Sequence, residues 1–447
     1  FFGSAFMDYG SDSLRGDKLE GDKIRSQEYD ETRYGFEIGG PILKDKLFFY
    51  AAYEKYDGAD LNERGALGSG AVNEVNVTQG ELDEIAEISR SVYSFDPGST
   101  ISKPFDFDDE KYLVKLDWYI ANNHRLSGTY MYNDSFNATE SDSDLDEFEF
   151  DLHFYKRGAE LKSYSVNLFS DWTDRFSTEV RYSYSDVDFL QQSFAGKDFA
   201  EIRVELDDVD VYLGQDDSRQ ANDLDYDVSS ISLKGRYDLN GHFLTFGVER
   251  EALDIFNMFV QESQTEIRFD GIDNFRNGFA DSIYYKNAPT HIVEDAAAEW
   301  GYELNTVYGQ DEFMIGDRLT IVAGLRYDWY TTSDKPGENP DFVASYGYSN
   351  SETVDGKGLL QPRIGFTYDV SDVTTLRGGI GLYSGGNPNV WISNSFNNNN
   401  ILQFQQRGRN FGYTDGSRSL FDDDVVYAGC EQGVPSGPGW CVQEELY

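Results

Sequence analysis

The fold of this chain is decided by residues 36–53, FEIGGPILKDKLFFYAAY, where two runs rich in apolar residues flank a short polar break. The break is centred on Lys44 and Asp45, and the run that follows it is dense in aromatic residues. This pattern predicts a β-hairpin with a tight turn. The connections on the far sides of its two strands are long and acidic, over residues 10–32 and 57–108.

The same alternation of apolar and polar residues recurs along most of the chain. In residues 176–185, Glu179 and Arg181 lie between aromatic and β-branched residues, which predicts a strand with one apolar face and one wet face. Similar alternation occupies residues 112–118, 318–329 and 363–370.

Short and long connections alternate between these strands. Short polar turns are predicted near Lys44-Asp45, Asn122-Asn123, Thr173-Asp174, Asn240-Gly241, Gly316-Asp317 and Ser371-Asp372. The long connections cover residues 57–108, 137–157, 193–223, 263–299 and 332–358. Loops of this length are uncommon in compact soluble domains, whereas outer-membrane barrels have short periplasmic turns and long outer loops. We therefore predict an all-β fold, a transmembrane antiparallel β-barrel of about 13 strands with long extracellular loops. The alternative is a soluble double-sheet sandwich.

Composition narrows the class of partner. The chain has 447 residues, a formal net charge of −44, and 31 Tyr and 32 Phe in a polar sequence. This charge repels phosphate backbones, so we expect no nucleic-acid partner. Many aromatic residues in a polar chain suit contact with an amphipathic surface such as the lipid boundary of the outer membrane. The acidic residues are explained either by solvation in a salty medium or by cation binding.

No stretch of the sequence has 18 or more consecutive apolar residues, so no transmembrane helix is predicted. The chain also begins inside a predicted strand, without a basic and apolar leader. We therefore expect it to be a piece of a longer precursor.

Two loop regions are singled out by the sequence. In residues 57–108, Thr78 and Glu81 form a capping box, which predicts a short surface helix over residues 79–92. Residues 386–447 contain an asparagine run and many Gly, Ser and Pro residues, which predicts an irregular extracellular loop. Short loop strands are predicted at residues 200–206 and 265–269.

We predict no catalytic residues and no enzyme activity. The histidines are scattered and show no metal-ligand spacing such as HExxH. Asp142, Asp144 and Asp146 have the spacing of a calcium loop, but Glu147 replaces its glycine and His153 replaces its bidentate glutamate. A solvated acidic loop is therefore favoured over a metal site. No cofactor is expected, and calcium in the acidic loops is the alternative.

If the apolar strand faces meet lipid, the opposite faces carry charged side chains into the lumen. These lumen-facing residues are Lys115, Asp117, Glu179, Arg181, Arg326, Asp328 and Arg363. Such a wet face requires water or a polar plug inside the barrel, which wide barrels provide. Separately, Cys430 and Cys441 lie close together in a Gly/Pro-rich loop and are predicted to form a disulfide, with a free pair as the alternative.

Several stretches resemble one family, the Oar-like TonB-dependent outer-membrane receptors. The most specific is the hairpin GGPILKDKLFFY at residues 39–50, and further islands are LRYD at residues 325–328, QPRIGF at residues 361–366 and PNVW at residues 388–391. The opening stretch FGSAF at residues 2–6 is similar to the first barrel strand of that family.

The resemblance implies a barrel of about 22 strands filled by an N-terminal plug, with a TonB box before the plug. It implies uptake of an external ligand with energy delivered through TonB. We expect the plug, the TonB box and the later strands to lie outside this chain, so that residues 1–447 form a partial barrel. The plug domain, TonB and outer-membrane lipid are then the expected partners.

Three functions remain open at this point. The first is a receptor that transports a bulky ligand such as an oligosaccharide, peptide or protein. The second is a non-transporting surface barrel, such as an adhesin or assembly component, and the third is a secreted β-rich carbohydrate-binding protein. For ligand contact, loop aromatic and polar residues are the candidates: Tyr346, Tyr348, Trp391 and Asn394.

Overall fold

The computed structural model describes residues 1–23, 27–101, 103–408, 418–428 and 434–443. The strands in chain order are β1 (Phe2–Ser11), β2 (Lys18–Leu19), β3 (Asp22–Lys23), β4 (Asp30–Leu43), β5 (Leu47–Asp60), β6 (Arg64–Ala66), β7 (Asn73–Val75), β8 (Phe105–Ala121), β9 (His124–Thr139), β10 (Glu147–Glu149), β11 (Tyr155–Thr173), β12 (Phe176–Ser193), β13 (Glu201–Glu205), β14 (Asp210–Gly214), β15 (Asn222–Leu239), β16 (His242–Phe259), β17 (Glu266–Asp270), β18 (Ser282–Asn287), β19 (Ala298–Ile315), β20 (Leu319–Thr331), β21 (Gly358–Ser371), β22 (Thr374–Gly381), β23 (Phe404–Gly408), β24 (Tyr427–Ala428) and β25 (Val442–Gln443). The α-helices are α1 (Gln79–Val92), α2 (Ile272–Asn277), α3 (Pro340–Tyr346) and α4 (Asn389–Asn397), and short 3₁₀ turns lie at Asp12–Leu14, Asp217–Arg219 and Val293–Ala296.

The long strands form one wall. Among the described residues, a 13-stranded sheet has the order β1-β4-β5-β8-β9-β11-β12-β15-β16-β19-β20-β21-β22, and every neighbouring pair is antiparallel. Each strand therefore pairs with the long strand before it and the long strand after it. No helix in the described ranges is long and apolar enough to cross a membrane.

The connections alternate as the sequence predicts. All six tight turns are confirmed, each joining two neighbouring wall strands, as Lys44–Lys46 does between β4 and β5. At the opposite end of the wall lie the long loops, with residues 61–104, 140–154, 194–221, 260–297 and 332–357 between wall strands. Around the first three of these loops the wall strands extend a few residues further than expected, because polar residues continue the ladder, whereas β16 ends three residues earlier than expected, at Phe259.

The register gives the wall two faces of opposite character. Directly paired residues on successive strands lie on the same face. One such row runs through polar residues, namely Asp117, Ser127, Asn167, Arg181, Ser232, Glu249, Thr306 and Asp328. The row on the other face runs through Trp118, Leu126, Leu168, Val180, Leu233, Val248, Val307 and Tyr327. We call these the charged face and the apolar face.

The apolar face ends abruptly toward the long loops. On the five neighbouring strands from β8 to β15, the paired residues eight positions from the apolar row are acidic, namely Glu110, Asp134, Glu160, Asp188 and Asp225, whereas the next residue in this row is Phe256 of β16. This acidic row therefore marks one boundary of the apolar band.

The long loops fold into a second sheet of their own. Its order is β10-β14-β13-β17-β18-β23, with parallel pairing of β10 with β14 and of β13 with β17. The strands predicted at residues 200–206 and 265–269 are confirmed as β13 and β17. The helix predicted at residues 79–92 is confirmed as α1, and its capping box between Thr78 and Glu81 is formed.

One hydrophobic core holds this loop sheet together. It contains Leu82 and Ile85 of α1, Ile202 and Leu213 of the loop sheet, and Phe275 of α2, all with no exposed surface. Since these residues come from different loops, burying them joins the loops into one unit.

The prediction of irregular chain across residues 386–447 is wrong in its first part. Residues 389–397 form α4, and residues 404–408 form β23, which joins the loop sheet beside β18. The asparagine run suggested a loop, but Ile392 and Phe396 lie one helical turn apart and pack on the apolar cluster at the loop end of the wall. This packing stabilises a helix that local preference alone does not favour.

Candidate functional site

The charged face carries a buried polar network around Asp328. Asp328 Oδ1 accepts hydrogen bonds from Thr306 Oγ1 at 2.7 Å and from Arg326 Nε at 2.8 Å. Its Oδ2 accepts from the side-chain amide of Gln361, which in turn accepts from Arg363 Nη2 at 2.8 Å. Three of the residues predicted to face the lumen, Arg326, Asp328 and Arg363, are thus brought into one network.

The other predicted lumen-facing residues lie in shorter ladders on the same face. Lys115 Nζ lies 3.0 Å from Asp117 Oδ2. Glu179 pairs with Arg181 at 2.8 Å and with Lys234, one strand further, at 3.2 Å. The register places all seven predicted residues on the charged face. Six of them pair with an opposite charge, and Arg363 donates to the amide oxygen of Gln361.

Replacing Asp328 by asparagine is expected to lower the stability of the full-length barrel by roughly 1.5 kcal/mol, because its hydrogen bonds lose their charged acceptor. The new amide group would also place an N–H against the donors of Thr306, Arg326 or Gln361. Guanidinium unfolding in detergent measures the effect. Asp369→Asn is the matched control, since Asp369 is exposed and accepts from Thr375 alone among the described side chains. Equal midpoints for the two variants would contradict this account.

The helix α4 covers the loop end of the charged face. The Phe396 ring stacks on Trp300 with centroids 5.5 Å apart, and Ser393 Oγ accepts from Asn257 Nδ2 at 2.6 Å and from Trp300 Nε1 at 3.4 Å. The first residue of the helix is also held, because Tyr302 Oη donates to Asn389 Oδ1 at 3.0 Å. The helix α4 therefore covers part of the charged face at this end.

The four candidate ligand residues fall into two separate groups. Tyr346 and Tyr348, 65% and 63% exposed, form an aromatic cluster with Phe342 on and beside α3, with centroids 4.7 and 5.4 Å from the Phe342 ring. Trp391, 74% exposed, and Asn394 lie on the outer side of α4. Both groups present aromatic surface to solvent, and their role in ligand binding stays a prediction.

A polar cavity of about 680 Å³ lies between the loop ends of the wall strands and the loop segments above them. Its lining includes Glu160 and Asp188 of the acidic row, Arg219 and Gln220 of a loop, and Trp440. Volumes of this size accommodate small organic ligands. The sequence did not indicate this cavity, because its walls come from segments far apart in the chain.

The loop sheet contains a buried group of acidic residues around one histidine. His153 is fully buried, with Nδ1 3.1 Å from the Gly214 carbonyl oxygen and Nε2 3.2 Å from Asp142 Oδ2. Carboxylate oxygens of Glu149 and Glu201 each lie 4.0 Å from the same Nε2. A carbonyl oxygen only accepts, so Nδ1 carries a proton and Nε2 points at the carboxylates.

Burial perturbs the ionisation of this group. Burial raises the pKa of Asp216 to about 7 and raises that of Glu201 well above its usual value. Burial alone would lower the pKa of His153, but the hydrogen bond with Asp142 and the charges of Glu149 and Asp216 outweigh it and raise this pKa to about 9. Burial therefore favours the protonated, uncharged forms of Asp216 and Glu201.

Four residues of this group could hold a metal ion. One donor atom each from Asp142, His153, Glu201 and Asp216 lie within 4.8 Å of one another. In a second set, Asp217, Glu262 and Glu266, one donor atom of each residue also lies within 4.8 Å of the others. Of the predicted calcium-loop residues, only Asp142 takes part, because Asp144 and Asp146 are exposed.

The sequence interpretation missed the role of His153. Its position among scattered histidines favoured a loop residue, whereas Glu201 and Asp216 reach it from another loop. The one sequence signal was its position in the acidic segment after Asp142. The predicted disulfide stays a prediction, because Cys430 lies outside the described residues, while Cys441 is buried.

Comparison with known proteins relates the chain to one family of domains. A family profile described as an outer membrane beta barrel domain matches residues 89–435. No curated protein matches the sequence.

The outer membrane transporter YddB from Escherichia coli has a similar structure, with a TM-score of 0.55 and 10% identity over 90% of this chain and 46% of that chain. A mutant of the ferric enterobactin receptor PfeA from Pseudomonas aeruginosa gives a TM-score of 0.49 and 13% identity over 85% of this chain and 43% of that one. The chain thus spans less than half the length of either structure.

Proposed function

The chain belongs to the family of outer membrane beta-barrel domains, and from that premise we propose that it forms part of the barrel of an Oar-like TonB-dependent receptor. In this proposal the complete protein has about 22 strands around a plug domain and imports a bulky external ligand with energy from TonB. The protein is a transporter and not an enzyme. The apolar face contacts outer-membrane lipid, and the long loops face the extracellular medium.

The charged face is the observation that carries this proposal. A row of polar residues crosses successive strands from Asp117 to Asp328, and a face of this kind needs water or a polar domain against it. The fold similarity to the Escherichia coli transporter supports the same architecture. A wide lumen that holds a polar plug satisfies both requirements.

The outer surface supports a bulky ligand of amphipathic character. The exposed aromatic groups at Tyr346, Tyr348 and Trp391 offer flat surfaces on which sugar rings or peptide side chains stack. The loop sheet and α4 rigidify the segments that carry these groups. The ligand class of the proposal is therefore an oligosaccharide, a peptide or a protein.

Binding to TonB tests the proposal on the full-length protein. We expect the complete protein in detergent to form a 1:1 complex with the purified periplasmic domain of TonB, and its reading frame to encode a plug and a TonB box before Phe1. Failure to bind TonB, together with a reading frame that lacks the plug, would favour a non-transporting surface barrel. Protein that stays monodisperse in detergent-free buffer would overturn both barrel functions.

A further inference from the structure

The buried cluster in the loop sheet has the chemistry of a metal site that is distinct from the proposed lumen. We propose that Asp142, His153, Glu201 and Asp216 bind one divalent transition-metal ion, and that this ion ties together the loops formed by residues 140–154 and 194–221. The site does not depend on the transport proposal, because it lies wholly within the loop sheet and the turns that flank it.

The histidine already has the orientation that a metal site requires. Its Nδ1 donates to the Gly214 carbonyl at 3.1 Å, which directs Nε2 at the carboxylates. Metal-bound histidines almost always donate their other ring N–H to a backbone carbonyl or carboxylate in this way. Gly214 has φ +91°, and a Cβ there would lie 2.0 Å from the Ala200 carbonyl oxygen. The backbone geometry that orients His153 thus requires glycine.

A second observation concerns Asp216, which is only 2% exposed. Its Oδ2 accepts from Ser141 Oγ, but its Oδ1 accepts no hydrogen bond, and Arg219 Nε approaches it only to 3.5 Å. One carboxylate oxygen of Asp142 and one of Asp216 also lie within 4.8 Å of each other. A buried carboxylate oxygen that accepts no hydrogen bond is available as a ligand to a bound cation.

Glu149 holds the segment that supplies Asp142. Its carboxylate accepts from the backbone N–H of Ser141 at 3.1 Å, from the N–H of Asp142 at 2.6 Å, and from Ser143 Oγ at 2.8 Å. A buried carboxylate that accepts three hydrogen bonds fixes this turn, so Glu149 is a positioning residue. Two of the remaining ligands are Glu201, the first residue of β13, and Asp216, the second residue after β14.

The donor set indicates the class of metal. Imidazole nitrogen favours zinc and similar ions, whereas calcium takes six to eight oxygen ligands. Zinc bonds of about 2.0 to 2.2 Å place ligand atoms up to roughly 4 Å apart, and the four donor atoms already lie within 4.8 Å of one another. Small inward movements of the side chains are sufficient to complete such a site. The ion would also displace any proton on His153 Nε2.

Zinc titration of the full-length, tag-free protein tests the site. After chelator treatment, we expect one zinc ion to bind per chain in calorimetry, with calcium binding far more weakly at the same site. Glu201→Gln removes one ligand and keeps the shape of the side chain. Its zinc affinity should fall by more than the 10- to 100-fold loss typical of outer-shell changes. Glu205→Gln is the matched control on the same strand, because Glu205 pairs with Arg203 at 3.5 Å and is outside the cluster.

Hydrogen exchange gives a readout that does not depend on transport. With free zinc at a hundred times its dissociation constant, the amides of β13 and β14 should exchange about a hundredfold more slowly. Glu201→Gln should abolish this protection, and Glu205→Gln should keep it. The proposal is overturned if zinc does not bind, if calcium binds the site more tightly, or if Glu201→Gln leaves zinc binding unchanged. It is also overturned if Glu201→Gln stabilises the loop sheet equally with and without zinc, which is the behaviour of a metal-free cluster.

Discussion

Leu233→Arg is expected to destabilise the full-length barrel in lipid by about 2 to 4 kcal/mol, the cost of a cationic side chain near the middle of the apolar band. Leu233 is 48% exposed on the apolar face of β15 and lies between Val180 and Val248 of the neighbouring strands. On the same face of β15, Leu233 lies six residues from Asp227, the last acidic residue on that face, and six residues from Leu239, which is next to the tight turn. Because lipid tails cannot solvate a guanidinium, the new charge has to reach toward the interface or thin the bilayer.

The adjacent residue provides the control for this prediction. Ser232 lies on the charged face between Arg181 and Glu249, so Ser232→Arg adds a charge beside one like and one opposite partner and should cost much less. Urea unfolding of both variants in liposomes gives the two free energies of unfolding. If the two substitutions cost the same, or if Ser232→Arg costs more, the assignment of the apolar face to lipid is wrong.

The wall could be predicted from the sequence because its determinants are local. A strand with alternating faces needs only the residue types along its own length, as in residues 176–185, and the tight turn at Asn240-Gly241 needs only two residues that tolerate positive φ. Asn240 and Gly241 indeed have φ of 52° and 97°. Since each wall strand pairs with the next long strand in the chain, the order of the sheet followed from the order of the sequence.

The loop sheet could not be predicted in the same way. The strands β13 and β17 pair in parallel although a complete wall hairpin, β15 and β16, separates them in sequence. No local pattern encodes such a partner. The helix α4 was missed for a related reason, because its asparagine-rich sequence has weak helical preference and its stability depends on packing against Trp300.

The same difference between local patterns and long-range packing separates the two candidate sites. The residues of the charged face were found because alternation alone assigns Arg326, Asp328 and Arg363 to one side of the wall. The cluster around His153 was not found, because its carboxylates come from three segments whose proximity depends on the loop sheet. Sequence reasoning therefore succeeds for the side chains of the regular wall and fails for sites assembled by loop packing.

The largest expected effect on the loop sheet is that of Phe199→Ala, which should destabilise this unit by about 3 to 5 kcal/mol. Phe199 has no exposed surface and lies parallel to Phe95, with ring centroids 3.9 Å apart, while Trp440 packs on it edge-on at 5.0 Å. The three rings come from three different segments, so the substitution leaves a cavity where those segments meet.

Because the loop sheet has its own core, Phe199→Ala should lower the stability of the loops and leave that of the wall unchanged. Hydrogen exchange of the full-length protein in detergent should show faster exchange in β13 and β17, by more than a hundredfold at the lower limit of that range. The amides of β11 and β12 should keep their protection. Val373→Ala is the control, since Val373 is 93% exposed in a tight turn at the other end of the wall. Equal loss of protection in wall and loops would mean that the two sheets unfold as a single unit, and unchanged exchange in β13 would mean that the aromatic stack does not hold the loops together.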